Sequence, residues 1–134
     1  MILDVQRGKR IRLQLNKGVY IFDCESATGK TYLWDMLRTL TSRDDIRCIS
    51  YPESKLLKSL YDIDNIENVN LIFLDRYDMY SPKYQEEIKQ LASSCSILMD
   101  CKQCENYEGR VEYCTIKMTR DSLELVGDDI IRGL

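Results

Sequence analysis

The chain has 134 residues, of which 44% are hydrophobic and 31% charged, and its formal net charge is −3. This composition describes one globular domain with a sizeable core, and the mild acidity excludes a general electrostatic pull toward nucleic acid or an anionic membrane. No apolar run approaches the ~20 residues of a membrane-spanning helix and no signal-peptide-like stretch opens the chain, so a cytoplasmic location with reduced cysteines is expected.

Arg10-Ile11-Arg12-Leu13-Gln14-Leu15 alternates apolar and polar residues, the pattern of a half-exposed strand. Arg7, Lys9, Arg10 and Arg12 then read as its solvated face rather than a binding patch. Asn16-Lys17-Gly18 marks a turn, which predicts a hairpin with residues 19 to 23. Val19-Tyr20-Ile21-Phe22 is apolar throughout and reads as a buried strand.

The next segment carries the chemistry. Cys24-Glu25-Ser26-Ala27-Thr28-Gly29-Lys30-Thr31 fits the phosphate-binding pattern G-x-x-x-x-G-K-[ST] with Cys24 at the first glycine's place. Apolar residues at 33, 34, 36, 37 and 40 predict a helix over 29 to 41, so the loop joins a strand to a helix as the pattern requires. Backbone N–H groups at the helix start converge on an anion, aided by the helix dipole. Lys30 would reach the β- and γ-phosphates of ATP, and the Thr31 hydroxyl would hold a magnesium ion. Thr28, Gly29 and Tyr32 complete the expected nucleotide contacts. Asp23 and Glu25 add negative charge where an anion would sit, and a Cβ at Cys24 disfavours positive φ. Both features predict weak binding. Cys24, near a helix N-terminus that lowers thiol pKa, is also a candidate for oxidation or alkylation that blocks the site.

Further along, Ile46 to Tyr51 reads as a strand stopped by Pro52, Glu53 to Leu60 as a short helix, and 61 to 69 as a polar connection. Asn70-Leu71-Ile72-Phe73-Leu74-Asp75 is an apolar strand ending in an acid. Ser81 and Pro82 suit the N-cap and first position of a helix running to Ser93, with Tyr84, Ile88, Leu91 and Ala92 on its inner face. Ser96 to Asp100 is a buried strand, 102 to 110 a polar loop, and 111 to 118 with 122 to 126 an antiparallel pair. Residues 127 to 134 read as a loose tail.

Together these motifs resemble a small P-loop NTPase domain over residues 11 to 126, of the ABC/SMC-like, strand-inserted type, with degenerate Walker A and Walker B segments. The resemblance makes Asp75 the Walker B acid beside magnesium. Alternating strands and helices predict a three-layer α/β sandwich, mainly parallel, with helices on both faces and antiparallel strand pairs at the N- and C-terminal ends. Hydrolytic members of that group carry a glutamate directly after the Walker B acid, where this chain has Arg76, which cannot act as a base. Asp78 is the nearest acidic substitute, and no ABC signature segment is present. The leading expectation is an ATP-binding switch or assembly partner with weak or absent hydrolysis. Alternatives are an ATPase completed in trans, with Arg76 or Arg110 as donated residues, a small-molecule kinase with 102 to 110 as lid, and a pseudo-NTPase interaction protein. A protein partner or self-association is expected, and nucleic acid is not.

Six cysteines include the C-x-x-C of Cys101 and Cys104, half of a zinc site that Cys95 or Cys114 would have to complete. With no histidine and no second C-x-x-C, free thiols are the expected state.

Overall fold

The computed structural model describes residues 1–22, 28–40, 43–54, 56–75, 84–100 and 110–127. Its strands are β1 (Ile2–Arg7), β2 (Lys9–Gln14), β3 (Gly18–Phe22), β4 (Ile46–Ile49), β5 (Leu71–Asp75), β6 (Ser96–Asp100), β7 (Glu112–Met118) and β8 (Ser122–Gly127). The helices are α1 (Thr28–Arg38), α2 (Tyr51–Ser54) and α3 (Gln85–Leu91), with 3-10 turns at Leu60–Asp62 and Ile66–Asn68. All eight strands join one sheet in the order β1-β2-β8-β7-β3-β6-β5-β4. The pairs β1/β2 and β7/β8 are antiparallel, and the other five junctions are parallel.

Strands β3, β5 and β6 are buried on both faces, which is why they read as unbroken apolar runs. Alternation divides their side chains between two clusters. Tyr20, Phe22, Leu71, Phe73 and Leu98 pack with Leu33, Met36, Leu37 and Leu40 of α1. Val19, Ile21, Ile72, Leu74, Ile97 and Met99 pack with Tyr84, Ile88 and Leu91 at α3. The expected inner face of that helix is thus the observed one. Leu3, Ile11, Leu13, Leu123 and Leu125 also join the α1 cluster, so the sheet curls at its antiparallel end. The architecture is therefore a mixed α/β fold around one curled sheet with few helices.

Two expectations are corrected. The strand at Arg10–Leu15 does not form a hairpin with 19 to 23: β2 pairs with β1, which was not anticipated, and with β8. The reason is burial. β2 exposes alternate residues, whereas β3 is covered on both faces and takes parallel neighbours, β6 and β7, on both edges. The Asn16 carbonyl accepts the Ser96 hydroxyl at 2.6 Å, which carries the connection across to β6 instead of back along β2. Gly8, at φ 73°, makes the tight β1–β2 turn. The expected helix over 53 to 60 is also displaced. The Ser50 side chain accepts from the Glu53 N–H at 3.3 Å and donates to the Glu53 carboxylate at 2.9 Å, which starts α2 at Tyr51 with Pro52 in its first turn. Leu56 is left 87% exposed, and Leu60 is buried through the separate 3-10 turn that Ser59 caps.

The basic residues Arg10 and Arg12 do lie on an exposed strand face. Arg10 grips Asp4 through two hydrogen bonds of 3.0 and 2.8 Å, and Arg12 lies 3.6 Å from Glu124. Tail residues 128 to 134, like Ser81 and Pro82, lie outside the described residues.

The start of β4 is tied to β5 through Asp45. The Arg43 guanidinium donates to both of its oxygens at 2.8 Å and the Asn70 amide to one at 3.0 Å, holding the carboxyl down at about 2 against the opposing effect of burial. A carboxyl whose pKa falls on folding stabilises the fold above its ordinary value near 4, and that stabilisation disappears as pH drops toward 2. Asp45→Asn is expected to lower Tm by about 4 °C at pH 7, as a loss of about 1 kcal/mol would. Thermal melts from pH 7 down to pH 2 should show that difference closing.

Candidate functional site

A cleft of about 410 Å³ opens at the C-terminal edge of the central parallel strands. Ligand clefts commonly run from roughly 300 to 1,000 Å³, so its size suits a small molecule. Among the described residues it is lined by Lys30, Thr31, Trp34, Phe73, Asp75 and Asp100. Three of these, Lys30, Thr31 and Asp75, are residues in which the sequence concentrates phosphate and metal chemistry.

The fold explains their convergence. Lys30 and Thr31 stand in the first turn of α1, which follows β3. Asp75 ends β5 and Asp100 ends β6, and the two are register partners on adjacent parallel strands. Even spacing from Phe73 and Leu98 puts both acids in phase with the α1-facing cluster. Lys30 Nζ donates to Asp100 Oδ1 at 2.9 Å, and the two side chains are only 18% and 20% exposed. The apolar wall is aromatic: Trp34 meets Phe73 edge-on at a centroid distance of 5.1 Å, and Phe22 lies 5.4 Å from Phe73. The Arg38 guanidinium covers the Trp34 ring at 5.3 Å and pairs with Glu53, fastening α1 to α2.

Asp100 is the residue that sequence reasoning missed. Its signal was present, since Ser96-Ile97-Leu98-Met99-Asp100 repeats the pattern of Leu71-Ile72-Phe73-Leu74-Asp75, an apolar strand closing on an aspartate. Tyr32, expected at the nucleotide, instead points to the β1–β2 turn. The Lys9 ammonium stands 6.0 Å from its ring centre, and its hydroxyl lies 3.6 Å from where a Cβ on Gly8 would be. α1 starts at Thr28, one residue before the expected start at Gly29, and ends at Arg38, short of the expected end at 41. Cys24, Glu25, Ser26 and Ala27 of the loop, and the catalytic candidates Arg76 and Asp78, lie outside the described residues. Arg110 is exposed.

Other concavities carry less chemistry. One of about 440 Å³ is lined by Arg43, Asp44, Asp45, Asn65 and Asn68, but Arg43 and Asp45 already satisfy each other. Another, of about 250 Å³, lies over the exposed strands beside the Arg12–Glu124 pair.

The cysteine pattern does not assemble into a metal centre among the described residues. Cys114 is buried in the α1 cluster, where its thiol donates toward the Ile21 carbonyl at 3.6 Å. Cys95 is buried in the α3 cluster and donates toward the Leu91 carbonyl at 3.4 Å. The two proposed extra zinc ligands thus belong to different clusters and act as small buried hydrophobes. Cys101 and Cys104 lie outside the described residues.

Comparison of the chain with protein-family models, curated proteins and solved structures finds no match. No helix among the described residues is long and apolar enough to cross a membrane.

Burial pushes the Cys48 thiol up to about 12, despite the opposing Arg38 charge, and the Cys95 thiol up to about 11. Both are protonated at neutral pH, and the thiolate is the reactive form. Iodoacetamide at pH 8 is expected to modify the buried Cys95 only after denaturant unfolds the chain, and the half-buried Cys48 slowly in the native protein, as followed by peptide mass spectrometry. Rapid native labelling of Cys95 would contradict its burial.

Proposed function

We propose that this chain binds a nucleoside triphosphate with magnesium at the Lys30 cleft, hydrolyses it slowly or not at all, and acts as a nucleotide-dependent switch or assembly partner. One observation carries the reading. The ammonium and hydroxyl that open α1 face the strand-end carboxylates of β5 and β6 across a single cleft at the C-terminal edge of parallel strands.

Topology supports it independently. In open parallel sheets, ligands bind beyond the strand carboxyl ends where adjacent strands send their connections in opposite directions. From β3 the chain continues to β4 at one edge of the sheet, and from the adjacent β6 it continues to β7 on the far side of β3. Lys30 lies on the first of those connections and Asp100 ends the strand from which the second departs. β6 also stands between the loop strand β3 and the acid-bearing β5, the arrangement that a strand-inserted P-loop domain calls for. In this reading the fold is a three-layer sandwich of that family, with α1 and α3 as its outer layers.

The roles follow from charge. Lys30 binds the phosphate tail, the α1 N-terminus contributes backbone donors, and Thr31 with Asp75 would hold the magnesium. Arg76 in place of a glutamate argues against efficient activation of water. The existing Lys30–Asp100 pair favours a second reading, an interaction protein of this fold whose anion site is filled by its own carboxylate.

Calorimetric titration with ATP and Mg²⁺ separates the two. Binding is expected, and Lys30→Ala should weaken it at least about 30-fold by removing a charge-assisted contact. Asp75→Asn should chiefly reduce the magnesium-dependent part. Unchanged affinity in Lys30→Ala would remove the assignment, and no binding at millimolar ATP would leave the interaction protein. Turnover that rises with protein concentration would point instead to completion by a second copy.

A further inference from the structure

We infer that Asp100 is a resident competitor for Lys30, holding its ammonium until a phosphate displaces it and making that displacement depend on a divalent cation that arrives with the phosphate. The inference rests on the reading of the cleft as a nucleotide site and adds a control that the loop motif does not contain.

The geometry is specific. Lys30 Nζ and Asp100 Oδ1 are 2.9 Å apart with about four-fifths of each side chain covered. Such a pair is screened less by solvent than an exposed one, so an incoming anion competes against a substantial attraction. Asp75 stands directly across the strand pair from Asp100, and neighbouring strands are about 4.8 Å apart. Among the described residues, the ionisable lining of the cleft is Lys30, Asp75 and Asp100, with Lys30 paired to Asp100.

A polyphosphate entering without a metal would take Lys30 from Asp100. That would leave a largely covered carboxylate beside Asp75 and beside the phosphate oxygens, and groups of like charge disfavour one another's ionised forms. A divalent cation reverses the sign of this balance. Asp75 and Asp100 would hold a cation that arrives with the phosphate, which would supply the positive charge that Lys30 withdraws, since hard cations take oxygen ligands of this kind. Lys30 reaches from the first turn of α1 on a flexible four-carbon stem, so it can exchange one anionic partner for another without movement of the helix. The ligand selected is then the metal–nucleotide complex, and the free nucleotide is discriminated against.

A purely structural ion pair makes a different prediction: its loss lowers Tm and leaves metal dependence alone. The test is calorimetric titration of the full chain with ATP, in EDTA and in excess Mg²⁺, for the wild type, Asp100→Asn and Asp100→Ser, with melting curves for each. The wild type should prefer ATP with Mg²⁺ by about 100-fold or more, and each variant should bind ATP in EDTA about tenfold more tightly, shrinking the preference accordingly. Wild-type binding that is indifferent to Mg²⁺ would overturn the inference whatever the variants do. If the variants keep the full metal preference while Lys30→Ala abolishes binding, Asp100 is not a competitor and the nucleotide site stands. If neither the wild type nor the variants bind ATP or inorganic tripolyphosphate, the competitor and the site fall together.

Discussion

Two-sided burial of β3, β5 and β6 is the constraint on which the rest of this structure depends. A strand with apolar residues on both faces needs neighbours on both edges and cover above and below. Parallel pairing meets the first need and brings the three strand ends to one edge. The side chains of α1 and of the Tyr84–Leu91 segment meet the second. Because the strands run in the same direction, whatever chemistry closes each apolar run is collected at a single rim. Two of those closing residues are aspartates, and the first turn of the helix that follows the third strand carries Lys30 and Thr31.

The rim differs from the phosphate cradle that the proposed function calls for. Cradles for phosphate normally present converging donors and positive potential. Here the ammonium is already engaged by Asp100. On the proposed reading, such a rim accepts an anion only in the company of a cation. The aromatic wall of Trp34 and Phe73 lines the same cleft as the pair, and each side chain of the pair is about four-fifths covered.

Much of this was legible in the residues. The strands at 19 to 22, 71 to 75 and 96 to 100 were readable because their apolar runs between polar breaks are too short for a helix. The inner face at Tyr84, Ile88 and Leu91 followed from helical spacing, and the antiparallel pair near 111 to 126 from alternation. Pairing partners were not readable. Nothing local tells Arg10–Gln14 to pair with Ser122–Glu124 rather than with the next strand along, because that choice depends on which edges remain free once the central strands are covered. The helix placed over 53 to 60 failed for a local reason. Leu56, Leu57 and Leu60 mimic helical spacing, but the side-chain cap from Ser50 starts the helix two residues earlier. At the site, Lys30, Thr31 and Asp75 came from a motif, whereas Asp100 belongs to no motif. Its strand-end pattern is in the sequence, but its partnership with Asp75 depends on β6 standing beside β5.

The pairing of β2 with β8 also bears on how the chain reaches its native state. Arg10 is in register with Ser122, and the Lys9 ammonium donates to the carbonyls of Thr119 and Arg120, so segments more than a hundred residues apart are stitched together. Contacts of such separation must be closed against chain entropy before they return any stabilisation. The central strands and α1 can collapse on shorter-range contacts, but the curled end of the sheet must wait for nearly the last strand. During synthesis β1 and β2 therefore emerge early as a two-stranded ribbon with an unmatched edge, which marks this segment as the one most exposed to mispairing until β8 arrives.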